Sequence, residues 1–430
     1  MGTFRSEPSY EGLEGAGPGV VHNGGVTALQ VGPHRIATPV VLAPMAGITN
    51  QAFRRLCREQ MASAGGQGLF VSEMVTSRAL LERNVESMRL IQHDPEENPR
   101  SVQLYGVDPG TVATCVRMLL DEGRADHIDL NFGCPVPKVT RKGGGAALPW
   151  KLGLFTAIVG AAVRAASPYG VPVTVKMRKG IDAQHLSYLE AGRIAEAEGV
   201  AVIALHARTA ADYYAGQADW AAIARLKQAV TSIPVLGNGD IWSADDAVEM
   251  IRQTGCDGVV VGRGCLGRPW LFADLAAGMA GRPERVQPTL GYVLATMRRH
   301  IELLAEHFRG FERGSKSAGR DELLAGKVSA AEDRACRDFR KHVAWYFKGY
   351  TVGRDLRSKL GLLGSLAEFD QLTAELDADQ PHPGAAAEGP RGRAGAPKQV
   401  SLPDGWLSGR DLDTAAETMI RAAELSVSGG

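Results

Sequence analysis

Short apolar, β-branched runs alternate with longer stretches of helical periodicity between residues 40 and 261. Strands that alternate with helices form parallel sheets, and eight strand–helix repeats are typical of a closed barrel. The pattern therefore predicts a TIM-type (β/α)8 barrel. Its strands are expected at Val40–Ala43, Leu69–Glu73, Ser101–Leu104, His127–Asn131, Val173–Met177, Val202–His206, Pro234–Leu236 and Gly258–Val261.

The pattern changes on both sides of these repeats. Residues 1–25 are rich in Gly, Ser, Glu and Pro, which is typical of a disordered tail. After residue 285 the periodicity is helical only, and residues 379–400 are rich in Pro, Gly and Ala, as linkers are. We expect a tail over 1–25, the barrel domain over 26–285, an all-helical domain over 286–378, and a linker with a flexible C-terminal tail over 379–430.

Composition narrows the possible classes of protein. The formal net charge is zero, which argues against a wholly basic nucleic-acid binder but allows a local basic face. The six cysteines are scattered with no CxxC pair, which suits a reducing cytoplasm and offers no metal cage. We expect no membrane span, because no run of 18 purely apolar residues occurs, and no secretory signal.

Polar residues follow every predicted strand. Barrels of this class carry their chemistry at the C-terminal ends of the strands, so these residues predict a site there. They are Pro44 and Met45, Glu73, Gln103, Asn131 and Cys134, Lys176 and Arg178, His206 and Arg208, Asn238 and Asp240, and Gly262 and Arg263.

The last two strands run into glycine-rich turns. Gly262–Gly267 reads GRGCLG, but this G-x-G-x-x-G closes the eighth strand, whereas a Rossmann motif follows the first strand of a βαβ unit. Loops after strands seven and eight of a barrel commonly bind phosphate, and Arg263 adds a cation. Plain tight turns are the alternative. Two such turns on adjacent strands favour a phosphate site, with backbone approach allowed at Gly237, Gly239, Gly262 and Gly264.

One cysteine lies just beyond a strand end. Ile128–Val139 reads IDLNFGCPVPKV, and Gly133 and Pro135 restrict the backbone on either side of Cys134. Most free cysteines are small buried hydrophobes, but a rigidly held thiol at a barrel mouth can donate a proton. Lys176 ends the fifth strand, where an inward lysine needs an anionic partner.

The sequence LNFGCPVPKV, together with APMAGITN at Ala43–Asn50 and GNGD at Gly237–Asp240, resembles the tRNA-dihydrouridine synthases. The resemblance implies FMN- and NADPH-dependent reduction of a specific uridine in tRNA to 5,6-dihydrouridine. Hydride would pass from FMN N5 to uracil C6, and Cys134 would protonate C5. The substrate would be tRNA, with no metal, membrane or obligate protein partner.

The resemblance also suggests site residues. An FMN site is expected from Pro44, Met45, Ala46, Gln103, Lys176, His206, Asn238, Gly239, Asp240, Gly262 and Arg263. Substrate contacts are expected from Asn131, Lys138, Arg141, Arg208, Arg340, Lys341 and Lys348, the last three in RKHVAWYFKG, which looks like the helical tRNA-binding domain of the family. Ala210 stands where the family often has a second basic residue, which weakens the transfer of contacts in that loop.

Two other functions remain open from the sequence. An FMN barrel enzyme could act on a free pyrimidine, as a dihydroorotate dehydrogenase does, but it would not need the basic helical domain. A non-catalytic tRNA-binding protein could keep the barrel as a scaffold, and it would be purified without flavin.

Overall fold

A computed structural model describes residues 26–314, 321–392, 394–412, 414, 417, 418 and 420. Eight parallel strands close into a barrel in chain order, and the last pairs with the first, Val260 opposite Val41. This confirms the TIM-type barrel. After the hairpin β1 (Leu29–Val31) and β2 (His34–Ile36), the barrel strands are β3 (Val40–Leu42), β4 (Leu69–Thr76), β5 (Ser101–Tyr105), β6 (His127–Phe132), β7 (Val173–Arg178), β8 (Val202–His206), β9 (Val235–Asn238) and β10 (Gly258–Val261).

Helices surround the barrel and begin at side-chain caps that the sequence supplies. Asn50 accepts a hydrogen bond from Phe53 N, and Asp108 accepts one from Thr111 N, each at the start of a helix. The helices are α1 (Gln51–Ser63), α2 (Ser77–Leu81), α3 (Val85–Leu90), α4 (Pro109–Asp121), α5 (Pro137–Thr140), α6 (Leu152–Ala166), α7 (Tyr188–Ala197), α8 (Trp220–Ala229), α9 (Ala244–Thr254) and α10 (Leu271–Met279).

The interior of the barrel is closed at one end by the β1–β2 hairpin. Leu29, Val31 and Ile36 are buried in one apolar cluster with barrel residues such as Val71 and Val202. The other end, where the strands have their C-termini, remains accessible.

An all-helical region follows the barrel, as expected. It consists of α11 (Leu290–Gly314), α12 (Asp321–Phe339), α13 (Val343–Tyr346), α14 (Arg354–Leu360) and α15 (Leu366–Thr373). Its apolar core also contains Ala52, Leu56 and Trp270 of the barrel. The two regions therefore share a packed interface.

The segment after residue 379 lies against the barrel, whereas the sequence suggested a linker and a flexible tail. Trp406 is only 2% exposed and belongs to the barrel's apolar core. Arg391 is also buried, and its guanidinium donates to the carbonyl of Trp345 at 2.6 Å. Residues 421–430 and the expected N-terminal tail, 1–25, lie outside the described residues.

One stretch of the described chain is long and apolar enough to cross a membrane by length and composition. It is Leu152–Tyr169, which has a mean hydropathy of 1.3 and contains α6. Leu154, Phe155 and Ile158 of this helix are buried in the barrel core, so packing against the barrel accounts for its apolar face.

Candidate active site

Most of the expected cofactor residues meet at the C-terminal mouth of the barrel. Gln103 lies deeper, and Ala46 is not part of the cavity wall. The cavity is lined by Pro44, Met45, Lys176, His206, Asn238, Gly239, Asp240, Gly262 and Arg263, and also by Tyr214 and Trp242, which the sequence did not suggest.

The turn after β9 has a backbone that requires glycine. Gly239 has φ +130°, and a Cβ there would come within 2.6 Å of Ala218 Cβ. The next residue, Asp240, accepts hydrogen bonds from Arg208 and from Ala218 N, both at 2.7 Å, and from Arg263 at 3.3 Å. A carboxylate repels phosphate, so the role of Asp240 is to hold these two guanidinium groups.

Arg263 is the cation at the surface of this cavity. Its guanidinium lies between the rings of Tyr214 and Trp242, at 4.5 and 4.9 Å from their centroids. Arg208 is buried and donates to the carbonyls of Ala215 and Gly216 at 3.0 and 2.7 Å. Its described contacts are therefore within the protein, where they hold the loop after β8.

Lys176 and His206 both line the cavity, but they differ in charge. Burial, together with the nearby Arg178, lowers the pKa of Lys176 to about 8. Within the described residues the Lys176 ammonium forms no ion pair with a carboxylate, although Asp129 is nearby. Burial and the surrounding cations lower the pKa of His206 well below its usual value, so this imidazole is neutral. Lys176 is thus a cation positioned for an anionic ligand.

A chain of hydrogen bonds links the neighbouring strands β5, β6 and β7. Asn131 Nδ2 donates to Gln103 Oε1 at 2.8 Å, and Gln103 Nε2 donates to Asp129 at 2.6 Å. Thr174 Oγ1 donates to the other oxygen of Asp129 at 2.6 Å. Burial raises the pKa of Asp129 to about 6. Both polar ends of the Gln103 amide are therefore used by neighbouring side chains.

Asn131 also positions the loop that carries Cys134. Its Oδ1 accepts from Gly133 N at 3.1 Å and from Cys134 N at 2.9 Å. Arg178 Nε donates to the carbonyl of Gly133 at 3.0 Å, and Tyr213 OH donates to that of Pro135 at 2.9 Å. The contact from Tyr213 was not predictable from the sequence, because it depends on how the loop after β8 folds.

The Cys134 thiol lies between opposing influences. Burial raises its pKa, while the positive charges of Arg178 and Lys176 act against that rise. Cys134 is partly exposed, whereas the other five cysteines are buried. With its pKa raised, the thiol is neutral near pH 7, which is the form that can donate a proton.

The expected substrate-binding cations have different surroundings. Lys138 and Arg141 are exposed on and after α5, beside the Cys134 loop. Arg340 donates to the carbonyls of Leu362 and Leu363, and Lys348 donates to those of Glu388 and Pro390. Lys341 pairs with Asp338 at 2.7 Å. Their roles in tRNA binding stay predictions.

Glu73, one of the polar residues expected at the strand ends, accepts a hydrogen bond from Gly47 N. This contact holds the segment after β3, which contributes Pro44 and Met45 to the cavity. The described residues contain no group of three or more His, Cys, Asp or Glu side chains arranged to hold a metal.

The family model and the curated relatives that match this chain name the same family. The family model "Dihydrouridine synthase (Dus)" matches residues 41–320. A probable tRNA-dihydrouridine synthase of Mycobacterium tuberculosis is 55% identical over 386 residues, covering 89% of this chain and 93% of the relative. A tRNA-dihydrouridine synthase B of Xanthomonas campestris is 38% identical over 330 residues, covering 77% and 90%. Among solved structures, histamine dehydrogenase from Rhizobium sp. 4-9 matches with TM-score 0.44 and 12% identity, covering 82% of this chain and 65% of that one.

Proposed function

Since this chain belongs to the dihydrouridine synthase family, whose members are flavin-dependent oxidoreductases, we propose that it reduces a uridine of tRNA to 5,6-dihydrouridine with FMN and NADPH. The observation that carries the proposal is the neutral Cys134 thiol, held at the barrel mouth beside a cation that has no ion-pair partner within the described residues. A proton donor and an anion site would then lie near each other at the barrel mouth.

The cavity residues fit FMN. The Gly239 turn and Gly262 allow backbone N–H groups to approach the phosphate, and Arg263 adds a charge that Tyr214 and Trp242 hold in place. Lys176 would face the flavin ring, where a cation stabilises its reduced, anionic form. When bound and reduced by NADPH, FMN supplies the electron pair that reduces the C5–C6 bond of uracil.

The protein's own residues would supply the remaining proton. Cys134 would donate this proton to uracil C5. The hydrogen bonds of Asn131 with Cys134 N and of Arg178 with the Gly133 carbonyl hold the backbone around the thiol in position. Asn131 is a positioning residue in this proposal, because both ends of its amide are used by the protein. The target uridine must leave its stack to enter the barrel mouth, as bases generally must for enzymes that modify them.

The test separates the two half-reactions. Cys134→Ala should accept electrons from NADPH at the wild-type rate, because the thiol takes no part in that step. Oxidation of the pre-reduced variant by tRNA should slow by about 10²–10⁴-fold, the usual contribution of a positioned general acid. Stopped-flow absorbance of the flavin measures both rates, and mass spectrometry of the tRNA measures the product.

Cys115→Ala is the matched control, because Cys115 is fully buried in α4 away from the mouth. It should leave both half-reactions unchanged. Wild-type oxidation in Cys134→Ala would exclude this thiol as the proton donor. Absence of dihydrouridine in tRNA treated with the wild-type enzyme would exclude the proposed function.

A further inference from the structure

We propose that Trp406, in the C-terminal strap formed by residues 398–412, positions the Cys134 loop, residues 133–150. Trp406 is not among the described residues that line the cavity, so its proposed action is through the loop and not on the substrate. The inference rests on the proposed function only where it concerns turnover. The contact itself can be tested without tRNA.

The Trp406 ring occupies a space that the loop leaves for it. A Cβ on Gly143 would lie 2.5 Å from the ring, so any side chain at that position would collide with it. The indole N–H donates to the carbonyl of Ala147 at 3.0 Å. Lys151 lies against the ring, with its ammonium 5.3 Å from the centroid. Trp406 thus packs closely against Gly143, donates a hydrogen bond to Ala147 and forms a cation–π contact with Lys151.

The part of the loop that Trp406 contacts is directly packed on Cys134. Ala146 N donates to the carbonyl of Cys134 at 3.0 Å. Gly145 has φ +54°, and a Cβ there would lie 2.5 Å from that same carbonyl oxygen. The indole hydrogen bond to Ala147 and the hydrogen bond that holds Cys134 therefore belong to consecutive residues of the loop.

Further contacts keep the strap in place on both sides of Trp406. The Lys151 ammonium donates to the carbonyls of Gly409 and Asp411, both at 2.8 Å. Arg410 donates to the carbonyl of Trp150 at 3.1 Å and lies over its ring at 4.2 Å. At the other end, Lys398 N donates to the carbonyl of Ala211 at 2.8 Å.

The glycine content of the loop is the reason that it needs this support. Gly143, Gly144 and Gly145 are consecutive, and glycines lose more conformational freedom on folding than other residues. A loop of this composition opens readily unless other contacts hold it. A proton donor must stay within hydrogen-bond reach of its target, so the strap should matter for the step that uses the thiol.

The rate at which Cys134 is alkylated reports how firmly Trp406 holds the loop. All six cysteines are described and the other five are buried, so iodoacetamide should label Cys134 selectively in the folded holoenzyme. Trp406→Ala should raise the labelling rate about tenfold, equivalent to ~1.4 kcal/mol of loop stability. Trp406→Phe should fall between the two, since it keeps a ring but loses the indole donor. Ser408→Ala, on the same turn, should match wild type, because its hydroxyl bonds only to Gly405 within the strap.

Half-reaction rates then show whether the role is positional. In Trp406→Ala, reduction of the flavin by NADPH should be unchanged, and oxidation by tRNA should slow, with partial recovery in Trp406→Phe. Wild-type labelling rates in both Trp406 variants would overturn the proposal, as would equal slowing of both half-reactions. Should Trp406→Ala fail to fold, Trp406→Phe alone decides by the same criteria. If the wild-type enzyme makes no dihydrouridine, the proposed function fails while the labelling rates still judge the contact.

Discussion

At the scale of single residues, the chemistry of the site depends on how Cys134 and Lys176 influence each other. Burial raises the pKa of the thiol, and the Lys176 charge opposes that rise. The alkylation rate of Cys134 should therefore increase with pH, with a midpoint above the usual value of about 8.5. Lys176→Met should lower the labelling rate at pH 7, where the Lys176 ammonium is charged, because it removes a cation that stabilises the thiolate. Iodoacetamide labelling from pH 7 to 10 measures this, and a faster rate at pH 7 in the variant would contradict the assigned geometry.

A second residue-scale prediction concerns Arg263. Arg263→Ala should weaken FMN binding by about 10- to 100-fold, because a hydrogen bond to a charged group contributes about 1.5–3 kcal/mol. Titration of flavin-free protein with FMN, followed by quenching of flavin fluorescence, gives the Kd. Arg252→Ala is the matched control, because Arg252 is an exposed arginine paired with Glu249 on α9. Equal Kd values for wild type and Arg263→Ala would refute the phosphate site.

Much of the cavity was predictable because polar residues at the ends of parallel strands must meet at one mouth. Lys176, Asn238 and Gly262 were found in this way, and all three line the cavity. Tyr214 and Trp242 were missed because they lie in loops whose path no periodicity reveals. The sequence also could not show that Asp240 holds arginines, since that depends on side-chain contacts across two loops.

At the scale of elements, short apolar runs located the strands well, and β8 and β10 have the expected bounds. β4 is longer than expected because its pairing with β5 shifts register between Val71 and Met74, a change that alternation does not reveal. The C-terminal strap was not foreseen. It follows the Pro-, Gly- and Ala-rich segment 379–400, which resembles a linker, and its packing depends on Trp406 and on hydrogen bonds to backbone carbonyls.

The interface between barrel and helical region makes an element-scale prediction about pH. His342 is fully buried against Phe53 and Phe339, and burial lowers its pKa well below 6.5. The unfolded chain binds a proton at that position below pH 6.5 and the folded chain does not, so stability is lost as pH falls. At pH 5.5 one such histidine costs about 1.4 kcal/mol.

His342→Phe should remove this cost, because a phenyl ring binds no proton in either state. The site should accept the ring, since neither nitrogen of His342 has a hydrogen-bond partner among the described residues. The loss of stability between pH 7.5 and 5.5 should therefore be smaller by about 1.4 kcal/mol in the variant. Urea unfolding at the two pH values measures it. His185→Phe is the control, since His185 is partly exposed beside Asp182. An unchanged pH dependence in His342→Phe would show that this ring does not contribute.

At the scale of the whole molecule, a chain of zero net charge must bind a polyanion through local surfaces. The structure distinguishes two groups of cations. Lys138 and Arg141 are exposed beside the barrel mouth, where a flipped base would enter, and Arg141 donates to the nearby carbonyl of Pro137 at the surface, at 3.3 Å. Arg340 and Lys348 donate to backbone carbonyls of the helical region and of the segment that follows it. We therefore expect the first group to contribute more to tRNA affinity and the second to contribute more to folding.

This division predicts how the salt dependence of tRNA binding changes in the variants. Lys138→Ala and Arg141→Ala should each weaken tRNA binding and reduce the slope of log K against log salt by about 1, because each removes one phosphate contact. Reduction of the flavin by NADPH should stay at the wild-type rate.

Arg340→Ala should instead lower the unfolding free energy and leave the slope of tRNA binding against salt nearly unchanged. Arg164→Ala, an exposed arginine on α6, controls for loss of charge alone. Binding measured by filter retention at several salt concentrations decides the matter. Wild-type slopes for Lys138→Ala and Arg141→Ala, with a reduced slope for Arg340→Ala, would place the tRNA on the helical region and away from the Cys134 loop.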